Sequence, residues 1–371
     1  MRLVSTHRLQ PGAVIARDVR TSAPGTAPLL RAGVTVTASI ARRLVELGVE
    51  AVWVRDELSE GIEPLEALSD EARDEAEREV IATLGAARDA LAAGQALADR
   101  DVRRLRDVAA RIAHEVVALP EAAIALSEMR SADAYTHEHS VRVTTLGVLI
   151  AARHWRRHGW RDYLGQRRTD GIGERLTQLG LGLLLHDIGK LALPQELLDK
   201  PGRLDEDEWE LVRRHPDIGA DLLDHTTTSM LTISVVRYHH ERWDGRGYPR
   251  GLRGAEISEL ARIAAVADVY DAVRSARPYK PAKPPHVAVE VIRDGAGSAF
   301  DPVVVETFRG VVLPYPVGHE VELPDGRIGV VIAADPAAPY RPTVRIPDGQ
   351  GGVEEQVVDF AAGNPSPAGA G

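Results

Sequence analysis

The run Leu183-Leu184-Leu185-His186-Asp187-Ile188-Gly189-Lys190 decides how this chain is read. Apolar residues from Leu181 to Leu185 lead into a histidine followed directly by an aspartate. An ionised aspartate in an apolar setting requires a partner. Adjacent side chains on a helix diverge by roughly 100°, so His186 and Asp187 do not pair as face mates. They can lie side by side under metal ions, with the carboxylate shared between two. The plain alternative is a helix end that carries polar residues before Gly189. The neighbouring stretches decide between these readings.

Downstream, Arg214-His215-Pro216 places a histidine before a proline, which biases His215 out of helical geometry. Val235-Val236-Arg237-Tyr238-His239-His240-Glu241 ends an apolar segment on paired histidines, and the glycine-rich Asp244–Pro249 follows. Ile263–Ala272 is an apolar helix with Asp268 inside it. Upstream, His139 shares a helical face with Val143, Leu146 and Ile150 and is aimed inward. His137 is turned away by roughly 200° and reads as surface. Trp209, Val212 and Ile218 read as a packed helix pair.

Collected, the candidates are His139, His186, Asp187, His215, His239, His240 and Asp268. Nitrogen and carboxylate donors of this kind suit Fe, Mn, Zn or Ni. One histidine in a core is usually structural. Five histidines and two aspartates in apolar settings point to metal. The chain has no cysteine, so thiolate sites and disulfides are excluded.

At 371 residues the chain is long enough for two or three domains. A net charge of −10 argues against a general nucleic-acid binder. Met1 to Pro11 lacks the apolar core of a signal peptide, and no stretch is apolar enough to suggest a membrane span, so the expected location is cytoplasmic. Residues 1–62 read as a small α+β module. Strands are expected at Val14–Val19, Leu29–Val34 and Val49–Val54, with a helix capped by Thr37 or Ser39 and stopped at Gly48. His7 reads as exposed. Residues 63–130 read as helices, and Leu65, Leu68, Ala72 and Ala76 share one face. A partner helix from a second copy, giving a homodimer, is the sharper reading of that region. Arg153–Arg175 reads as a polar, loop-like insertion. The tail reads as β, with strands at Val321–Leu323, Gly329–Ile332, Thr343–Pro347 and Gln356–Phe360 and a hairpin at Pro324–Arg327. Residues 361–371 read as disordered.

The ordered set of motifs resembles the HD-GYP branch of the HD-domain phosphohydrolases. The matching text is His139-Ser140, Leu184–Lys190, Lys200-Pro201-Gly202, Arg214-His215-Pro216, His239–Pro249, Val266–Asp271, Arg277-Pro278-Tyr279-Lys280 and Gly297–Pro302. The resemblance covers about residues 125–312. It implies a mainly α fold: an all-helical HD-GYP domain at 131–312, with the α+β module before it and a small β appendage at 313–360.

The resemblance further implies a metal-dependent phosphodiesterase for cyclic di-GMP, opening one linkage to give pGpG, with GMP as a further product. It assigns one metal to His139, His186, Asp187 and Asp268, and a second to His215, His239 and His240, with Asp187 bridging. Two divalent metals are expected, Fe or Mn favoured. Asp187 and Lys190 take the catalytic roles. Lys190, Arg277 and Lys280 match phosphate-contacting positions, Tyr248 one near a guanine, and Asp133 one beside the pocket. Three-metal members carry a glutamate one turn before the first histidine, where this chain has Tyr135. The segment between His139 and His186 is longer than the family pattern. Two rival readings stand beside this one: a cyclic-dinucleotide sensor or docking module with little turnover, and an HD phosphohydrolase acting on another nucleotide.

Overall fold

The computed structural model describes residues 1–20, 27–119, 135–162, 164–200, 202–224, 226–275, 282–349 and 352–361, with the side chains of 135 and 136 excepted. The chain opens with β1 (Arg2–Ser5), β2 (Val14–Ile15), α1 (Ala38–Glu46) and β3 (Ala51–Arg55), an antiparallel sheet in the order β1-β3-β2. Thr37 caps α1 by accepting from the Ile40 amide at 3.2 Å. The expected strand at Leu29–Val34 does not form. Gly33 turns the chain at φ +88°, leaving only single bridges from Val19 to Leu30 and Val14 to Thr35.

A helical body follows. It begins with α2 (Asp70–Ala92), α3 (Asp99–Ala118), α4 (Tyr135–His158) and α5 (Ile172–Leu185). The short helices α6 (Gln195–Leu198) and α7 (Glu206–Val212) precede α8 (His215–Leu223) and α9 (Met230–Tyr238). The body ends with α10 (Glu259–Arg274), α11 (Pro285–Asp294) and α12 (Pro302–Arg309). Ala72, Ala76 and Val80 of α2 and Leu105, Val108 and Ile112 of α3 are buried in the same core as Leu146, Leu183 and Val266. The apolar faces of α2 and α3 are therefore covered within this chain. Leu65, expected on that face, lies before α2 and is exposed.

The segment Arg153–Arg175 is less irregular than its polarity suggested. α4 continues to His158 because Ala151, Ala152 and Trp155 keep the buried stripe running, while the arginines occupy the outer side. The remainder holds a short hairpin of β4 (Trp160–Arg161) and β5 (Arg167–Arg168) and the first turn of α5 from Ile172. After α12 come β6 (Glu320–Glu322), β7 (Ile328–Ala333), β8 (Thr343–Pro347) and β9 (Val353–Val357), an antiparallel meander in that order. The last strand lies earlier than expected. Val358 and Phe360 leave the ladder and bury their side chains, their amides bonding Pro342 and Tyr340.

The two small sheets meet. The Leu3 amide donates to Gly318 O at 2.8 Å, and Glu320 receives Arg2 and Arg8, each at 2.5 Å. No described helix is long and apolar enough to cross a membrane.

Candidate metal centre and active site

Three helix ends and two helix interiors converge on one buried place. α5 stops at Leu185, and the backbone leaves helical geometry through Asp187 (φ −99°, ψ 5°). That break brings His186 and Asp187 together, with Nε2 to Oδ2 at 3.4 Å. His215 starts α8, while His239 ends α9 with His240 next to it. His139 comes from the interior of α4 and Asp268 from that of α10. Gly189 allows the close fit of this turn against α8, since a Cβ there would collide with the His215 carbonyl oxygen and stand 2.6 Å from the Gly219 nitrogen.

Donor atoms of His139, His186 and Asp268 lie within 4.8 Å of one another, and so do those of Asp187, His215, His239 and His240. The Asp187 carboxylate faces both groups. Its Oδ1 is 3.4 Å from His215 and 3.9 Å from His239, and its Oδ2 is 3.9 Å from His139. All seven predicted ligands are thus brought together.

The imidazole tautomers test whether divalent cations fit. Nδ1 of His186, His215 and His239 donates to the carbonyls of Leu183, Val212 and Val236 at 2.6, 2.7 and 2.9 Å. Each carbonyl only accepts, so each Nδ1 bears the proton and a neutral ring turns a bare Nε2 inward. Nε2 of His215 and His239 face each other at 3.4 Å, lone pair to lone pair. His186 Nε2 and Asp187 Oδ1 are buried with no hydrogen-bond partner among the described residues. Converging bare nitrogens and carboxylates are what a borderline divalent cation satisfies, and the residues fit such ions.

Electrostatics agree. Burial pushes His239 well down, His215 to about 4 and His240 to about 3, in spite of nearby aspartates in all three cases. Neutral imidazole is the ligating form. Burial alone would raise the Asp187 carboxyl, but Lys190 and the surrounding histidines hold it well below the usual range. Lys190 Nζ donates to Asp187 Oδ2 at 2.6 Å. His139 differs. Burial would lower it, yet hydrogen bonds to Asp268 and Asp271 raise it to about 9. Those bonds favour a proton in the 3.2 Å gap between His139 Nε2 and Asp268 Oδ1, which a cation bound there would displace.

Sequence reasoning missed three supporting residues. Asp271 accepts from His139 Nδ1 at 2.7 Å and is itself gripped by Arg142 at 2.7 and 3.1 Å. Their signal was spacing: Asp271 is three residues after Asp268, and Arg142 three after His139, so each shares its ligand's face. Glu241, buried, accepts from the Arg250 and Leu252 amides at 2.7 and 3.0 Å, holding the glycine-rich loop against the histidines. In that loop a Cβ on Gly247 would stand 2.6 Å from Glu241 Cα. Tyr248 lies over His240, ring centroids 4.7 Å apart.

Two expectations are corrected. His137 is half-buried, not on the surface, because α4 is embedded from its first turns. Trp209 is 36% exposed, since α7 lies on the rim with no buried residue of its own. Asp133, Arg277 and Lys280 lie outside the described residues, and so does the expected tail from 362 onward.

Residues 156–304 match the HD domain family. A cyclic di-GMP phosphodiesterase of Pseudomonas aeruginosa is 38% identical over 254 residues, covering 68% of this chain and 57% of that protein. A cyclic di-GMP phosphodiesterase of Thermotoga maritima is 40% identical over 185 residues, 49% of this chain and 46% of that one. A 3′3′-cGAMP-specific phosphodiesterase of Vibrio cholerae is 42% identical over 123 residues, 33% of this chain and 24% of that protein. The chain spans about half the length of the first two curated relatives. Together with the order of motifs from His139 to Asp268, these matches show that the chain carries an HD domain.

Proposed function

We propose that the chain is a metal-dependent phosphodiesterase that hydrolyses cyclic di-GMP to pGpG, and onward to GMP, at a dinuclear centre. The observation that carries this reading is the pair of buried His/Asp groups joined at Asp187, with bare nitrogens converging on each other. Two relatives named cyclic di-GMP phosphodiesterases support the substrate. Under this reading His139, His186 and Asp268 hold one divalent ion, and His215, His239 and His240 the other, with Asp187 common to both. Nitrogen and oxygen donors admit Fe, Mn, Zn or Ni, and among these the family resemblance favours iron or manganese. Such ions would supply positive charge that polarises the phosphodiester and lowers the pKa of a water.

The chain's own residues do the rest. Asp187 orients the attacking water, and its ion pair with Lys190 keeps it ionised. Lys190, 30% exposed, adds positive charge where charge develops on the phosphate. Burial and the charges of Asp187 and Asp268 push the Tyr248 phenol up, so it stays protonated and donates to the substrate. Asp133, Arg277 and Lys280 remain proposed substrate contacts. Residues 131–312 form the catalytic unit, between the module at 1–62 with the helices of 63–130 and the β appendage at 313–360 with its tail at 361–371. Any homodimer through the helical region would have to use the charged outer faces of α2 and α3. The setting is cytoplasmic, where the substrate and no membrane or nucleic acid is engaged.

The test is incubation of metal-loaded protein with cyclic di-GMP, with products followed by chromatography. Release of pGpG supports the reading. Tight binding without product would favour a sensor instead, and hydrolysis of other nucleotides alone would favour a different phosphohydrolase.

A further inference from the structure

We infer that Trp209 and Arg213 of the α7 segment form a seat for one guanine base of the substrate, at the mouth of the metal centre. The inference rests on the cyclic-dinucleotide reading above and names residues for which that reading has no role.

Trp209 is a large apolar side chain left 36% exposed on a short helix that has no buried residue. Its surroundings tie it to the centre by a ladder of rings. Trp209 meets Tyr248 edge-on, with centroids 6.2 Å apart and planes at 75°. Tyr248 in turn lies 4.7 Å from the His240 ring and 6.5 Å from that of His215. A base beside Trp209 is thus connected through Tyr248 to the residues proposed to act on the phosphate.

Arg213 lies one helical turn beyond Trp209, its guanidinium carbon 5.5 Å from the indole centroid. Its Nε is buried and has no hydrogen-bond partner among the described residues. Its ion-pair partners are the exposed Glu206 and Glu210 at 3.8 and 3.9 Å, contacts too long and too wet to hold it. The guanidinium thus lies over the indole in a cation–π contact, while no hydrogen bond among the described residues commits its Nε. An indole stacks on any base. A guanidinium fork discriminates, since guanine offers O6 and N7 as two acceptors where adenine presents an N6 donor.

The platform is also rigid. Asp205 and Glu208 close a reciprocal cap at the start of α7, at 2.9 and 2.8 Å, and Lys200 holds Glu208 at 2.5 Å. A preformed seat loses little freedom when a base arrives.

The experiment compares kcat and KM of the metal-loaded full chain with those of Trp209→Leu, Trp209→Phe and Arg213→Met, on cyclic di-GMP and cyclic di-AMP. Metal content and Tm are measured in parallel. Expected are a tenfold or larger rise in KM for Trp209→Leu on both substrates and substantial rescue by Trp209→Phe. Arg213→Met should lower the preference for cyclic di-GMP over cyclic di-AMP at least tenfold. Metal content, Tm and kcat should stay near wild type in all three. If wild type hydrolyses cyclic di-GMP and these variants keep its KM and its preference, the seat is wrong and the proposed function stands. A KM rise that always comes with loss of metal or of Tm would overturn it too, since α7 would then be a structural support. If wild type hydrolyses neither dinucleotide, the proposed function fails and this inference fails with it.

Discussion

His139 Nδ1 stands 2.7 Å from Asp271 Oδ2, a carboxylate doing for this imidazole what backbone carbonyls do for His186, His215 and His239. Three of the histidines are oriented by the chain's own turns and cannot be released by a side-chain change. The fourth depends on Asp271 and on Arg142, which grips it from behind.

Asp271→Ala is therefore expected to weaken one metal position selectively. Losing such a partner lowers metal affinity by roughly 10–100-fold. Elemental analysis after titration with a chelator should show the first ion leaving earlier than in wild type, with the second retained. Equal retention of both ions would show that the His139 orientation does not depend on this contact.

Asp187→Ala removes the carboxylate facing both donor groups. Turnover should fall by at least about 10²-fold, and at least one metal equivalent should be lost. A variant that keeps full metal and normal hydrolysis would contradict the shared role of Asp187.

Lys190→Ala should separate binding from chemistry. A cation that matters most as charge develops should cost about 10²–10³ in kcat while KM moves far less. A rise in KM alone would make Lys190 a binding group only.

Acidity should act on the metal-free chain from both sides. His215 falls from 6.5 to about 4 on folding, so its contribution is complete above 6.5 and is lost as pH drops through 4. His139 rises from 6.5 to about 9, so its contribution is complete below 6.5 and is lost as pH climbs through 9. In the presence of chelator, urea midpoints should peak near pH 6.5 and decline on either side. Metal replaces the His139 proton, so the alkaline decline should shrink in the loaded protein. A midpoint that keeps rising from pH 6.5 to 9 without metal would contradict the His139 assignment.

Gly189→Ala should destabilise by about 1–3 kcal/mol, because the new methyl group meets backbone and not a movable side chain. Differential scanning calorimetry checks this. Unchanged Tm would mean that α8 can shift away without cost.

The cluster of candidate ligands was legible because apolar surroundings made each polar residue conspicuous: His139 on its stripe, Asp268 inside an apolar helix, His186 after a leucine run. Asp271 and Arg142 escaped because they read as ordinary charges, and only the fold places them behind His139. Trp209 misled in the opposite way. Tryptophan near valine and isoleucine reads as core, yet α7 is a short rim helix whose indole faces outward. The Leu29–Val34 stretch had strand composition, but Gly33 bends it, and pairing in a sheet is decided by neighbours that local composition does not reveal. The meeting of Leu3 with Gly318 left no local signature at all.

That meeting governs the order in which the molecule can be completed. β1 is an edge strand of its sheet, paired on its inner side with β3. Its other flank finds its acceptor at Gly318, and Arg2 finds Glu320, 318 positions later in the chain. As the polypeptide leaves the ribosome, the module at 1–62 can close its own small core early, while one flank of β1 stays bare until residues 318–320 have emerged. Such a long-range closure is entropically slow. In pulsed hydrogen-exchange refolding, protection of the Leu3 amide should lag behind that of Val52 and Val54. Simultaneous protection would mean that the flank is covered by other means.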